Sequence, residues 1–124
     1  MKKTIIIKKN YEFKNLFSKG KFYYGKFIHM YIKETNKSYN KFAIAVSKKQ
    51  GKAVARNRIK RLIRENYKIF EENIKLGTNI LIVINKEKDI NEISYYDIKE
   101  NFERTLKKAN VWVDWIWLKR YLLN

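Results

Sequence analysis

Apolar positions along the chain fall into segments with different periods. Phe13, Leu16 and Phe17 recur at i, i+3 and i+4, with Asn10 ahead of them and Gly20 behind. That spacing predicts a short helix over residues 11–19, with Asn10 as N-cap and Gly20 as the C′ stop. From Tyr23 to Lys33 aromatic and β-branched residues dominate, and Ile28, Met30 and Ile32 alternate with Phe27, His29 and Tyr31. This predicts a strand with one apolar face and one aromatic, polar face. After a polar turn over Glu34–Lys41, Phe42, Ile44 and Val46 alternate with Ala43 and Ala45. A second strand over Phe42–Ser47 follows, and the two are expected to pair as an antiparallel hairpin.

Beyond a polar loop containing Gly51, Ile59, Leu62, Ile63 and Phe70 share one side of a helix expected from about Ala53 to Phe70. On an ideal wheel they lie within about 100° of one another, and Asn57, Lys60, Arg61, Arg64 and Lys68 occupy a similar arc opposite. The helix has an oily back and a cationic front. Gly77 closes the next connection, and Ile80-Leu81-Ile82-Val83-Ile84 is a continuous apolar run suited to a central strand buried on both faces. Ser94 with Asp97 has capping-box spacing. Ile98, Phe102, Leu106 and Ala109 then mark a second long helix. In the tail, Trp112, Trp115, Trp117 and Tyr121 fit neither period. No repeat, low-complexity tract or proline divides the chain, so residues 1–124 are expected to form a single domain.

Charge changes this picture. Against 12 Asp and Glu stand 29 Lys and Arg, a formal net charge of +17, which points to a polyanionic partner. Residues 1–40 hold ten Lys and two Glu, residues 41–68 hold ten Lys or Arg and one Glu, and residues 69–124 hold nine of each sign. All the excess lies in the first 68 residues, as one basic face on an otherwise ordinary domain. Lysine is frequent throughout, but general lysine richness does not explain six arginines, four of them between positions 56 and 64. The planar guanidinium fork binds phosphate in a bidentate way.

Other chemistries find no support. The chain has no Cys and one His, which excludes thiol catalysis, disulfides and cysteine-ligated zinc. Acids in the basic half are Glu12, Glu34 and Glu65 alone, on different expected elements, whereas a two-metal nuclease needs converging carboxylates. No phosphate-binding G-x-x-x-x-G-K-[ST] loop or G-x-S-x-G elbow occurs. His29, flanked by aromatics, reads as a stacked or surface imidazole rather than a base. No apolar run approaches the roughly 20 residues of a membrane span, and Thr4–Ile7 is too short for a signal sequence. The expectation is a soluble, cytoplasmic protein without membrane association.

Two features carry the positive signal. The run from Ser47 through Lys48, Lys49, Gly51 and Lys52 to Arg56-Asn57-Arg58, Lys60-Arg61 and Arg64-Glu65 delivers a lysine loop, a helix start and a guanidinium face. Free N–H groups at the helix start and arginines a turn apart suit a folded phosphate backbone. A solvated helix face is the alternative, but Lys60 with Arg64 and Arg64 with Lys68 repel at i, i+4, and Arg61 with Glu65 is the one evident compensating pair. The second feature is Phe13, Phe17, Phe27 and Tyr31, with Tyr23 and Tyr24 nearby, interleaved with Lys14, Lys21, Lys26 and Lys33. Such a set builds either a stacking groove for single-stranded nucleic acid or part of the core.

The arginine run, its mid-chain position, the upstream Asn10-x-x-Phe13-x-x-x-Phe17-x-x-Gly20 pattern and the Ala43-Ile44-Ala45-Val46-Ser47 strand together resemble the bacterial ribonuclease P protein subunit. The resemblance covers about residues 8–108, and the Trp-rich tail over 110–124 matches no motif of that family. It implies an α+β fold, a small two-layer sandwich with a sheet of about four strands and an N-terminal helix. A central arginine-rich helix would lie in a left-handed β-α-β crossover, with a C-terminal helix after it, as in a ribosomal-protein domain. Contact with ribonuclease P RNA is implied for Lys48, Lys49, Lys52, Arg56, Asn57, Arg58, Lys60, Arg61, Arg64 and Lys68. Phe13, Phe17 and Tyr31 would line a cleft for the 5′ leader of precursor tRNA. Catalysis would belong to the RNA with Mg2+, the protein serving as an accessory subunit and a monomer within the protein–RNA complex. Where the family commonly has Asp before the last strand and Arg at its end, this chain has Asn79 and Asn85. A ribosomal RNA-binding protein is the main rival. A membrane-surface or DNA-coating polycation would need an exposed apolar stripe that residues 59–70 commit to a core.

Overall fold

The computed structural model describes residues 3–114. Its elements follow in the order β1 (Thr4–Ile6), α1 (Asn10–Lys19), β2 (Lys21–Tyr23), β3 (Ile28–Glu34), β4 (Asn40–Ala45), α2 (Ala53–Phe70), β5 (Thr78–Ile84) and α3 (Tyr95–Lys108). The strands make one sheet in the order β1-β4-β5-β3-β2. As the apolar run predicts, β5 is central, antiparallel to β3 and parallel to β4, with α2 forming the crossover between β4 and β5. Ile80, Leu81, Ile82 and Ile84 are all buried.

The expected β3–β4 hairpin does not form, because β5 lies between the two strands. At an edge, the Ile80–Ile84 run would leave one flank of backbone and much apolar surface in water; in the centre both faces and both ladders are satisfied. Gly77, at φ 88°, turns the chain into this slot. Asn40 Oδ1 accepts from the N–H groups of Gly77 and Thr78 at 2.8 and 3.0 Å, and the Gly77 carbonyl accepts from Thr35.

Five strands are present rather than about four, since β1 and β2 span three residues each and are too short to show a period. The strand expected over Tyr23–Lys33 is broken at Tyr24–Phe27, and β2 folds back on β3 with Phe22 opposite Tyr31. Gly25 permits that reversal, since a Cβ there would strike the Ile28 carbonyl and the Asn101 amide. The short helix is where the pattern places it, but its caps differ. Asn10 is the first helical residue, Lys9 holds the N-cap position, and no side chain caps that end. Gly20 stops α1 in an extended conformation, where the helix end presses its backbone against Leu16 and Tyr31.

The two faces of the sheet are covered unequally. On one, Ile28, Met30, Ile32, Phe42, Ile80, Ile82 and Ile84 meet Ile59, Ile63, Tyr67 and Phe70 of α2 and Ile98, Phe102 and Leu106 of α3. Phe42 stacks on Tyr67 and Phe70 on Phe102, with interplanar angles of 18° and 19°. On the other face, among the described residues, α1 alone crosses the sheet, burying Leu16 with Ile7, Ala43 and Leu81. The resulting asymmetry leaves part of one face open.

α3 starts as its sequence predicts: Ser94 Oγ accepts from Asp97 N at 3.1 Å and Ser94 N donates to Asp97 Oδ2 at 2.9 Å. Ser94→Ala is expected to cost about 1 kcal/mol in urea unfolding with RNA affinity unchanged. Where the tail begins, Trp112 bridges to Ile74, packs on Phe70 and carries the Lys107 ammonium 4.9 Å from its ring centroid. It thus seals one end of the core. Trp115, Trp117 and Tyr121 lie outside the described residues.

Candidate nucleic-acid interface

The open face is organised in three rows across β4, β5 and β3: Lys41–Asn79–Lys33, Ala43–Leu81–Tyr31 and Ala45–Val83–His29. Leu16 of α1 covers the middle row. The first row clamps α1 with polar contacts, Lys41 Nζ to Glu12 Oε1 at 2.6 Å and Lys33 Nζ to Asn15 Oδ1 at 3.2 Å. The third row is half-buried, at the edge of the α1 contact. With Phe13, Lys14, Phe17 and Ser18 of α1 as a wall, Ala45, Leu81 and Val83 floor a groove of about 470 Å³. Small side chains make this floor flat, and the helix phase that buries Leu16 aims Phe13 and Phe17 at the groove.

All three residues implied for the leader cleft therefore meet. Phe13 and Phe17 line the groove, and the Phe17 ring lies 4.7 Å from that of Tyr31. Sequence reasoning missed that the rings continue: Tyr31 to Phe22 at 5.2 Å, Phe22 to His29 at 5.1 Å and His29 to Tyr24 at 4.8 Å. Phe22 reaches the set through its pairing opposite Tyr31, which becomes visible only once β2 is known to fold back. Conversely, Tyr23 and Phe27 pack against the core beneath the opposite face, and the Lys26 and Lys88 ammonium groups sit over the Phe27 ring.

His29 is a half-buried imidazole in edge-on and tilted contact with the Phe22 and Tyr24 rings. Its Nδ1 accepts from the Gly25 N–H at 3.0 Å, which places the neutral ring's proton on Nε2. Burial lowers its pKa below 6.5, against an opposing pull from Glu87. A proton bound more readily by the unfolded chain makes folding stability rise with pH in this window. The contribution is fully present above about 6.5, the unfolded value, and falls as pH drops toward the lower folded value. The sole histidine is expected to titrate below 6.5 when followed by its ring-proton NMR signal.

α2 carries the second candidate surface. Its buried side is Ile59, Leu62, Ile63, Asn66, Tyr67 and Phe70. Asn57, Arg58, Arg61, Arg64 and Lys68 are exposed, whereas Arg56 and Lys60 are half-buried at the margin. Lys48 and Lys49 lie exposed in a 3-10 turn held by a capping box between Ser47 and Gln50. Lys52 is the N-cap of α2, no side chain caps that end, and the first turn has no acid. Its leading N–H groups are thus available to an anion beside three lysines. The anticipated Arg61–Glu65 pair is present at 3.8 Å, exposed and weak. Arg58 differs from its neighbours, donating to the carbonyls of Ile90 and Ile93 at 3.4 and 3.1 Å. Two of its five donors pin the loop after β5, and the rest remain for a ligand.

Asn85, the departure at the end of β5, is buried and structural. Its amide donates to the carbonyls of Gly25 and Lys26, and its carbonyl oxygen accepts from Glu87 N. Asn79 lies in the row beside Lys41 and Lys33. Among the described residues, no three His, Cys, Asp or Glu side chains converge in a way that could hold a metal ion, and no helix is long and apolar enough to cross a membrane.

The family model for Ribonuclease P matches residues 1–110. The chain belongs to the ribonuclease P protein family. The ribonuclease P protein component of Thermoanaerobacter sp. (strain X514) is 36% identical over 108 residues, 87% of this chain and 91% of its own length. That of Clostridium botulinum (strain Langeland / NCTC 10281 / Type F) is 36% identical over 107 residues, covering 86% and 95%. The structure of the Staphylococcus aureus RNase P protein superposes with a TM-score of 0.75 at 32% identity, over 87% of this chain and 97% of that one. The mixed α+β architecture is thus that of ribonuclease P proteins, and the family places the chain in tRNA processing as part of an endonuclease assembly.

Proposed function

We propose that this protein is the accessory subunit that binds the catalytic RNA of ribonuclease P and holds the 5′ leader of precursor tRNA while the RNA cuts it. The observation that carries the reading is the pairing of two dissimilar surfaces on one small fold: a guanidinium face on α2 and an open aromatic groove on the sheet. Exposed arginines a turn apart suit phosphates of a structured RNA, and flat rings beside Ala45 and Val83 suit unpaired bases. Arg56, Asn57, Lys60, Arg61, Arg64 and Lys68 dock on ribonuclease P RNA, with Lys48, Lys49 and Lys52 extending the contact past the helix start. Arg58 adds its remaining donors while holding the β5–α3 loop. Phe13, Phe17 and Tyr31 hold the leader.

Mg2+ would be held by the RNA and the substrate, where it would polarise the scissile phosphate and activate water. The chain's own residues neutralise phosphate charge where RNA and substrate meet, and so favour the closed assembly. The protein acts as a monomer within that complex.

The test is cleavage of a precursor tRNA by a bacterial ribonuclease P RNA at limiting Mg2+, with each component alone as control. Cleavage at the mature 5′ end that needs both components is expected. No stimulation by the folded protein, with a cognate RNA, would favour the ribosomal RNA-binding alternative.

A further inference from the structure

Phe22, His29 and Tyr24 are not needed for the cleft formed by Phe13, Phe17 and Tyr31, yet their rings continue it without a break along β2 and β3. Phe22 meets His29 at 62° and Tyr31 at 54°, and Tyr24 meets His29 at 35°. What sets these rings apart from the core aromatics is their exposure: Phe22 and Tyr24 are 47% and 62% exposed, whereas Phe42, Tyr67 and Phe102 are at most 1% exposed. Large aromatic faces held open to water on a rigid sheet need a partner to explain them.

The surroundings limit what that partner can be. The flanking lysines turn to the other face, Lys21 and Lys26 holding their ammonium groups 5.5 and 5.3 Å from the Tyr23 and Phe27 ring centroids, so the cluster itself presents aromatic rather than cationic surface. The row Ala45–Val83–His29 runs unbroken from the groove floor to this cluster. At the cluster's centre His29 is oriented by its bond from Gly25 N–H, so that its Nε2–H is a donor with a fixed direction. Exposed rings and one oriented donor suit an unpaired nucleobase presenting a carbonyl or ring-nitrogen acceptor.

We propose that Phe22, His29 and Tyr24 form a second base-stacking subsite, which takes an additional unpaired nucleotide of the RNA strand lying in the Phe13–Phe17–Tyr31 groove and reads an acceptor on its base through His29 Nε2–H. The inference rests on the leader-binding reading and extends it along the sheet. It predicts that affinity climbs in two stages as the leader lengthens, once when the groove fills and again when the second subsite fills.

The experiment measures dissociation constants of the reconstituted holoenzyme for precursor tRNAs whose leaders grow one nucleotide at a time. Phe22→Ser and Tyr24→Ser are exposed substitutions, with thermal unfolding run alongside. Each is expected to remove the second stage, a loss of about 5- to 100-fold for long leaders, while short leaders bind as before. Phe17→Ala should weaken both classes. His29→Phe should keep the second stage but abolish discrimination between bases at that nucleotide. A 4-thiouridine placed there should cross-link to Phe22 or Tyr24. If the second stage survives both serine variants, the subsite does not exist. If Phe17→Ala has no effect while the serine variants do, the groove assignment fails and this subsite stands alone. If His29→Phe keeps base discrimination, the reading role of His29 is wrong.

Discussion

Replacing Arg61 and Arg64 together with Ala is expected to weaken binding to ribonuclease P RNA by about 10²- to 10⁴-fold, if each guanidinium makes one charge-assisted contact of about 1.5–3 kcal/mol. The logarithmic salt dependence should become shallower by roughly 1.4 to 1.8, since each lost phosphate contact removes about 0.7–0.9 from the slope. Both side chains are exposed, and among the described residues Arg61 is engaged by a 3.8 Å pair with Glu65. Folding stability should therefore change by no more than about 0.5 kcal/mol. It could rise slightly, because Arg64 sits one helical turn from both Lys60 and Lys68 and like charges at that spacing repel. Arg58→Ala should behave differently. Its loss leaves the carbonyls of Ile90 and Ile93 without their guanidinium partner, so unfolding by urea should shift along with RNA affinity. Titrations at several salt concentrations separate the cases, and an unchanged slope in the double variant would remove α2 from the RNA interface.

That contrast shows how far the sequence reaches. The span of α2 and its two sides follow from period alone, because an 18-residue helix repeats its pattern often enough to leave no ambiguity. The internal anchoring of Arg58 does not, since it depends on where the loop after β5 returns. The same limit explains the sheet. Alternation identifies β3, β4 and β5, but their neighbours are set by which strand can bury both faces, and Ile80–Ile84 outcompetes local pairing of β3 with β4. Short edge strands carry no period, so β2 was invisible, and with it the placement of Phe22. Alternation carried one residue past the strand places Phe27 on the aromatic face, but the strand starts at Ile28, and the turn before it sends Phe27 to the core side. Asn101 belongs to this unreadable class as well. Its carbonyl oxygen accepts from the N–H groups of Phe27 and Ile28 at 2.8 and 3.0 Å, fixing the turn that presents Tyr24 and His29.

Phe17→Ala is expected to weaken precursor tRNA by about 1–3 kcal/mol, the range for loss of one stacked base, and to leave mature tRNA affinity unchanged. The position allows a clean reading because Phe17 is 57% exposed, whereas its neighbour Leu16 is 2% exposed. Leu16→Ala would open a cavity between α1 and the sheet, at a cost of about 2–5 kcal/mol in stability. Phe17→Ala gives up one ring contact with Tyr31, about 0.5–1.5 kcal/mol, and no closed core. A tryptophan at the same position keeps a stacking face and should restore leader affinity without restoring the original shape. Filter binding of precursor and mature tRNA to the holoenzyme distinguishes the roles. Equal loss for both ligands, or failure of Phe17→Trp to recover the difference, would mean that the ring serves packing. Selective loss would mean that the groove is kept open to bind the leader, which also explains why, among the described residues, one helix crosses this face of the sheet while two seal the other.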